Sequence, residues 1–177
     1  MTVGGFEGKY PRIGEGTWIH PSADVFGDVV LGERCWIGPG ARLRGDYGHI
    51  VVGDRCAIED NCVVHARPGE TCTLGSWVTL GHGCVVHTAK LVDDYAVIGM
   101  QAVVSDWAEV GEWAVVGEGA VVSQGSVIPA GRIAVGVPAR VTERPVDDEF
   151  RAAWRAFKQT YVDLCARYAE GYRQADA

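Results

Sequence analysis

Cut every six residues, the stretch from Leu74 to Ile128 reads LGSWVT, LGHGCV, VHTAKL, VDDYAV, IGMQAV, VSDWAE, VGEWAV, VGEGAV, VSQGSV and I. Every piece opens on an aliphatic residue: Leu74, Leu80, Val86, Val92, Ile98, Val104, Val110, Val116, Val122 and Ile128. The same frame runs back towards the N-terminus with two slips. Ile13, Ile19, Val25, Leu31, Ile37 and Leu43 keep it, Val52 comes three residues late, Ile58 and Val64 resume it, and Leu74 comes four residues late. The fourth residue after the aliphatic one is usually small (Ala23, Cys35, Ala41, Cys56, Cys62, Cys84, Ala96, Ala102), and the next residue is often Gly. A period of six does not match the 3.6 residues of a helical turn. A short strand and a turn per repeat do match it. The aliphatic residue points inward, the small one fits a corner, and Gly accepts unusual backbone angles there. A β-sandwich holds no fixed six-residue frame.

Outward from this stretch, the extra residues predict loops at 44–51 and 65–73. The frame stops at Gly136–Arg140. Beyond Pro145, the residues Phe150, Trp154, Phe157, Tyr161, Leu164, Tyr168 and Tyr172 recur at three- and four-residue steps, which predicts one amphipathic helix with Asp147 or Asp148 as N-cap. Residues 1–144 are thus expected to form the repeat with a short lead-in, and 145–177 a helix belonging to the same domain, suited to cap a solenoid or meet a neighbouring chain. The chain has 177 residues, 22% of them charged, and a net charge of −7 with no Lys/Arg cluster, which argues against nucleic acid as a partner. The N-terminus lacks the apolar core of a signal peptide and no run is apolar enough to span a bilayer, so no membrane partner and a cytoplasmic location are expected. The six cysteines form no C-x-x-C pair and read as small buried hydrophobes.

If three hexads complete one coil, hexads three apart stack. Val86 then lies on Val64, and His87 on His65, each directly after its aliphatic residue. At a strand spacing of about 4.8 Å two such imidazoles can share one metal ion. Arg44 occupies the same column one coil below. His82 follows Leu80 by two and stacks on Asp60, on the adjacent face. A threefold packing of chains could bring His82 of one subunit to His65 and His87 of the next.

This repeat resembles the hexapeptide-repeat proteins, a mainly β class that coils as a left-handed parallel β-helix with three hexads per coil, here followed by a C-terminal α-helix. Within that class, LRGDYG (43–48), IEDNCVVH (58–65) and GHGCVVH (81–87) resemble the γ-class carbonic anhydrases and their phenylacetate- and carnitine-associated relatives. The resemblance implies a homotrimer that binds Zn2+ (or Fe2+ or Co2+) through His65, His82 and His87. It implies a lyase in which metal hydroxide attacks carbon dioxide to give bicarbonate. Arg44, Asp46 and Asp60 match an Arg–Asp network across the subunit interface. Glu59 stands where many members carry Gln near the reacting solvent, and Tyr161 is a candidate to reach the site from the helix. Two departures accompany the match: Tyr47 replaces an acid of the best-known active members, and the loop after His65 carries Glu70 as its one acid. The alternatives are an acyl-CoA thioesterase of the related hexapeptide type, an acyltransferase, and a metal-binding trimer with little turnover.

Overall fold

The computed structural model describes residues 2–173. The chain winds as a left-handed parallel β-helix with strands of mostly two or three residues. Three columns of stacked aliphatic residues define its three faces: Val64–Val86–Val104–Val122, Ile58–Leu80–Ile98–Val116 and Leu74–Val92–Val110–Ile128. The core runs along the axis and consists of these columns plus the small corner residues, with Val64, Leu80, Val86, Ile98 and Val116 fully buried. Ile13, the first member of the predicted inward series, departs from it. It is 40% exposed because it lies at the open N-terminal end, with a covering coil on one side only.

The two insertions behave differently. Residues 44–51 are not a loop: Arg42–Val52 is one continuous strand paired with Asp24–Leu31, and the extra residues are absorbed where the register shifts between Gly27 and Val29. Ile50 is buried within it. This long pair turns a corner and joins two faces into one 12-stranded sheet. The second insertion does loop out, at residues 66–70 between Val63–His65 and Thr71–Leu74. The third face ends in an antiparallel hairpin, Arg132–Val135 with Arg140–Pro145.

The glycines after the aliphatic residues serve space, not backbone angle. A Cβ on Gly14 would lie 2.4 Å from the backbone of Gly32, and one on Gly53 would lie 2.7 Å from that of Gly75. The left-handed backbone falls two residues later and is taken mostly by residues with side chains: Arg34, Arg55, Asn61, Trp77, Tyr95, Gln101, Trp107 and Trp113 have φ of 53–61°. On one corner Trp77, Tyr95 and Trp113 stack nearly parallel, at centroid distances of 5.6 and 4.3 Å.

The helix Asp148–Gly171 is capped by Asp147, whose side chain accepts from the Phe150 N–H at 2.8 Å. It runs back along the solenoid. Arg151 and Arg155 lie over Trp113, Tyr161 meets Trp36 edge-on, and Tyr168 packs on Trp18. Phe157, predicted on the packed face, is 46% exposed, and the neighbouring Lys158 is buried instead. Its ammonium donates to Val78 O at 2.9 Å. Burial pushes Lys158 down to about 8, against the pull of nearby Cys56, Cys35 and Glu59. Between pH about 8 and the unfolded lysine value near 10.4 the unfolded chain holds a proton that the folded chain has released, so this group makes stability rise with pH in that window. Lys158→Met should remove that rise. Urea midpoints of wild type and variant at pH 7.5 and 10 measure it, and equal slopes would show that the lysine titrates normally.

Candidate metal centre

Parallel register places His87 directly over His65, and His65 over Arg44. The alternation of the short strands turns Val64 and Val86 into the core and the following residue outward, so this column lines one outer face. Around it runs a continuous polar chain. Arg44 Nη1 donates to Asp46 Oδ2 at 2.5 Å, and His65 Nε2 lies 3.0 Å from Asp46 Oδ1. His65 Nδ1 faces His87 Nε2 at 3.1 Å. His87 Nδ1 lies 2.6 Å from Asp106 Oδ1, and Arg67 Nη2 donates to Asp106 Oδ2 at 2.8 Å.

The charges in this chain follow from its contacts. Burial alone would raise the Asp46 carboxyl, but hydrogen bonds from Arg44 and His65 hold it below the ordinary carboxylate value. The Arg67 hydrogen bond holds Asp106 down to about 2 against burial, with His87 and Thr88 assisting. Burial lowers His65, which Asp46 offsets only in part, so at neutral pH its imidazole is neutral. A carboxylate only accepts hydrogen bonds, so the nitrogens that meet Asp46 and Asp106 carry the hydrogens. The other two nitrogens, His65 Nδ1 and His87 Nε2, face one another. Two lone pairs at 3.1 Å repel unless a proton or a cation lies between them. Tetrahedral coordination with bonds of 2.0–2.1 Å sets its nitrogens about 3.3 Å apart, close to the spacing seen. The donor set therefore fits a divalent transition metal.

His82 lies elsewhere, in the turn between Thr79–Leu80 and Val85–His87. Its Nε2 is 3.0 Å from Glu59 Oε2 and its Nδ1 is 2.6 Å from Asp60 Oδ2. Glu59 is buried, and Tyr161 reaches the same cavity from the helix. Burial, chiefly, and this neighbouring carboxylate raise Tyr161 far above the ordinary phenol value. Asp60 is thus separated within one chain from Arg44 and Asp46, with which the sequence had grouped it. Its place on the His82 face follows from its position two residues after Ile58. Among the described residues no three His, Cys, Asp or Glu side chains of a single chain converge on a metal site. The predicted residues fall into two groups: Arg44, Asp46, His65 and His87 on one face, and Glu59, Asp60, His82 and Tyr161 at the other.

Sequence reasoning missed Asp106 and Arg67. The signal for Asp106 was present, since it is two residues after Val104, the position that Asp60 and His82 hold in their own hexads. Arg67 lies in the insertion, whose path the period does not determine. Beside the second group, between the helix and the coils, is a cavity of about 250 Å³ lined by Glu59, His82, Met100, Trp154, Phe157 and Tyr161. No helix among the described residues is long and apolar enough to cross a membrane.

No family model matches the chain. The carnitine operon protein CaiE of Escherichia coli O157:H7 is 34% identical over 168 residues, which span 94% of this chain and 84% of that protein. Among solved structures, a Bacillus cereus protein provisionally assigned as an acetyltransferase is 33% identical with a TM-score of 0.90, over 94% of this chain and 96% of its own. A hexapeptide transferase family protein of Anaplasma phagocytophilum is 29% identical with a TM-score of 0.88, over 94% and 98% of the two chains. With the six-residue frame, the coil register and this extent of identity in agreement, the chain belongs to the family of hexapeptide-repeat proteins that includes the carnitine operon protein CaiE.

Proposed function

We propose that this protein is a metal-dependent enzyme of the carbonic-anhydrase type, a homotrimer in which His65 and His87 of one subunit and His82 of a neighbour hold one divalent ion. Its reaction is the hydration of carbon dioxide to bicarbonate. The observation that carries the reading is the pair of facing nitrogens, His65 Nδ1 and His87 Nε2, 3.1 Å apart and each backed by a carboxylate on the far side of its ring. His82, set apart from the pair within one chain, would give the third ligand from another chain: its Nδ1 stays on Asp60 Oδ2 and its Nε2 turns from Glu59 Oε2 to the ion. A bound Zn2+, Fe2+ or Co2+ supplies Lewis acidity, which acidifies water and polarises a carbonyl oxygen. The chain's own residues supply the remainder. Arg44, paired with Asp46 and partly exposed, offers positive charge to the bicarbonate anion. Glu59, buried beside His82 and lining the same cavity as Tyr161, is the carboxylate that takes the proton of the reacting water.

A second reading, hydrolysis or transfer of the acyl group of a CoA thioester, is favoured by two observations. The two structural relatives above are described as transferases, and the cavity of about 250 Å³ beside His82 is larger than carbon dioxide requires. The same Lewis acid acts on a thioester carbonyl.

Metal analysis of protein purified without added zinc, joined to stopped-flow carbon dioxide hydration and an acyl-CoA hydrolysis screen, tests both. The expected result is about one metal ion per chain and hydration that disappears on chelation. Protein without bound metal would overturn the metal reading, and thioester hydrolysis without hydration would select the second. Light scattering should report a trimer; a monomer that retains metal would exclude the shared site. Glu59→Gln should keep the metal while hydration falls roughly 100-fold, the scale of a lost acid–base group. Unchanged hydration and thioester hydrolysis in that variant would remove Glu59 from the mechanism.

A further inference from the structure

We propose that Asp106 and Arg67 are positioning residues of the metal site, a role that rests on the metal-dependent function proposed above. Asp106 uses its two oxygens for two partners: Oδ1 accepts from His87 Nδ1–H at 2.6 Å, and Oδ2 accepts from Arg67 at 2.8 Å. Held at both oxygens, the carboxylate cannot rotate away, and it fixes both the orientation and the tautomer of His87. The hydrogen stays on Nδ1 and the lone pair on Nε2, aimed at His65. Arg67 is itself anchored. Its backbone N–H donates to Thr88 Oγ1 at 3.0 Å, and its guanidinium lies over the Trp107 ring at 5.8 Å. Asp106 is 7% exposed while the Arg67 side chain is about half exposed, so what holds the carboxylate is its two-sided hydrogen bonding and not exclusion of water from the pair.

The arrangement gives the short insertion a purpose. The four residues added between Val64 and Leu74 let the chain leave the coil immediately after His65 and carry Arg67 across to Asp106, 39 residues further on. The loop is thereby a brace for the site. It mirrors the Arg44–Asp46 pair behind His65, so both imidazoles are held by an aspartate that is in turn held by an arginine.

Two measurements test this on the full chain. In metal-free protein, 15N NMR should show His87 as the Nδ1–H tautomer, and Asp106→Asn should lose that preference. Competition with a chromophoric chelator should show Zn2+ binding 10- to 100-fold weaker in Asp106→Asn, the usual cost of losing such a partner, with Asp106→Glu recovering part. Arg67→Ala should weaken binding by a smaller factor, and Arg67→Lys should recover part of it. If Asp106→Asn melts earlier yet binds Zn2+ as tightly as wild type, the residue is structural only and the inference fails. An Nε2–H tautomer in wild type also overturns it. A wild-type protein that binds no divalent metal overturns the underlying function instead, while the tautomer still decides whether Asp106 positions His87.

Discussion

Two inactive variants mixed together should regain about a quarter of the wild-type metal content, if each site takes ligands from two subunits. His82→Ala and His87→Ala each remove one ligand, so each alone should retain almost no metal. When the two chains are unfolded together and reassembled in equal amounts, a site is whole if the chain giving His65 and His87 is the His82→Ala chain and its neighbour is the His87→Ala chain. Each condition holds half the time, which gives about one site in four at random assembly. A site built from one chain, or one in which His82 takes no part, predicts no recovery or no initial loss. The two side-chain groups are separate within a chain, with His82 held by Glu59 and Asp60 and His65 and His87 by Asp46 and Asp106. Metal content by atomic emission is the readout, with a His65→Ala and His87→Ala mixture as control, since those two lesions fall on the same contributor and cannot complement.

Gly27→Val should be among the most destabilising single changes in the molecule, with a loss of about 4 kcal/mol or more. Gly27 has φ of +80°, and a Cβ there would lie 2.3 Å from Gly45 O, a backbone atom with no rotamer by which to yield. The strand carrying Gly45 is the one that absorbs the first insertion, and it bears Arg44 and Asp46. The variant should therefore also displace the carboxylate behind His65 and weaken metal binding. Gly119→Ala is the matched control: it too has positive φ, +65°, but open space around the new atom, so only backbone strain of about 1–2 kcal/mol is expected. Urea unfolding of both variants separates the two costs. Equal losses would show that the close approach of the two strands carries no weight.

The inward register was legible because it is a strict consequence of period. A residue such as Val86 has to stack on Val64 once three hexads close a coil, and with it His87 on His65. The end effect at Ile13 was not legible, because periodicity describes neighbours and is silent on where neighbours run out. The path of the first insertion was not legible for a related reason. Three extra residues can bulge outward or extend a strand opposite a register shift, and what decides is Gly27 against Gly45, a contact between coils. Asp106 and Arg67 were not legible as partners of the histidines because they share neither their column nor their residue type. The partners of a histidine come from the next position on the next coil and from a loop. Lys158 escaped because a helical stripe is read by hydrophobicity, whereas a lysine can be buried when a free lone pair such as that of Val78 O awaits it.

A solenoid normally frays, because each repeat is held only by its two neighbours and an end can peel without consulting the middle. The C-terminal helix changes that rule here. Its first turns grip Trp113, near the end of the winding, and its last turns grip Trp18, near the start. Peeling either terminus must therefore break contacts made by the other, and an open row of repeats acquires the connectivity of a closed ring. Hydrogen exchange should then report one common opening energy for the first and last coils, where the same winding without residues 148–177 would melt coil by coil.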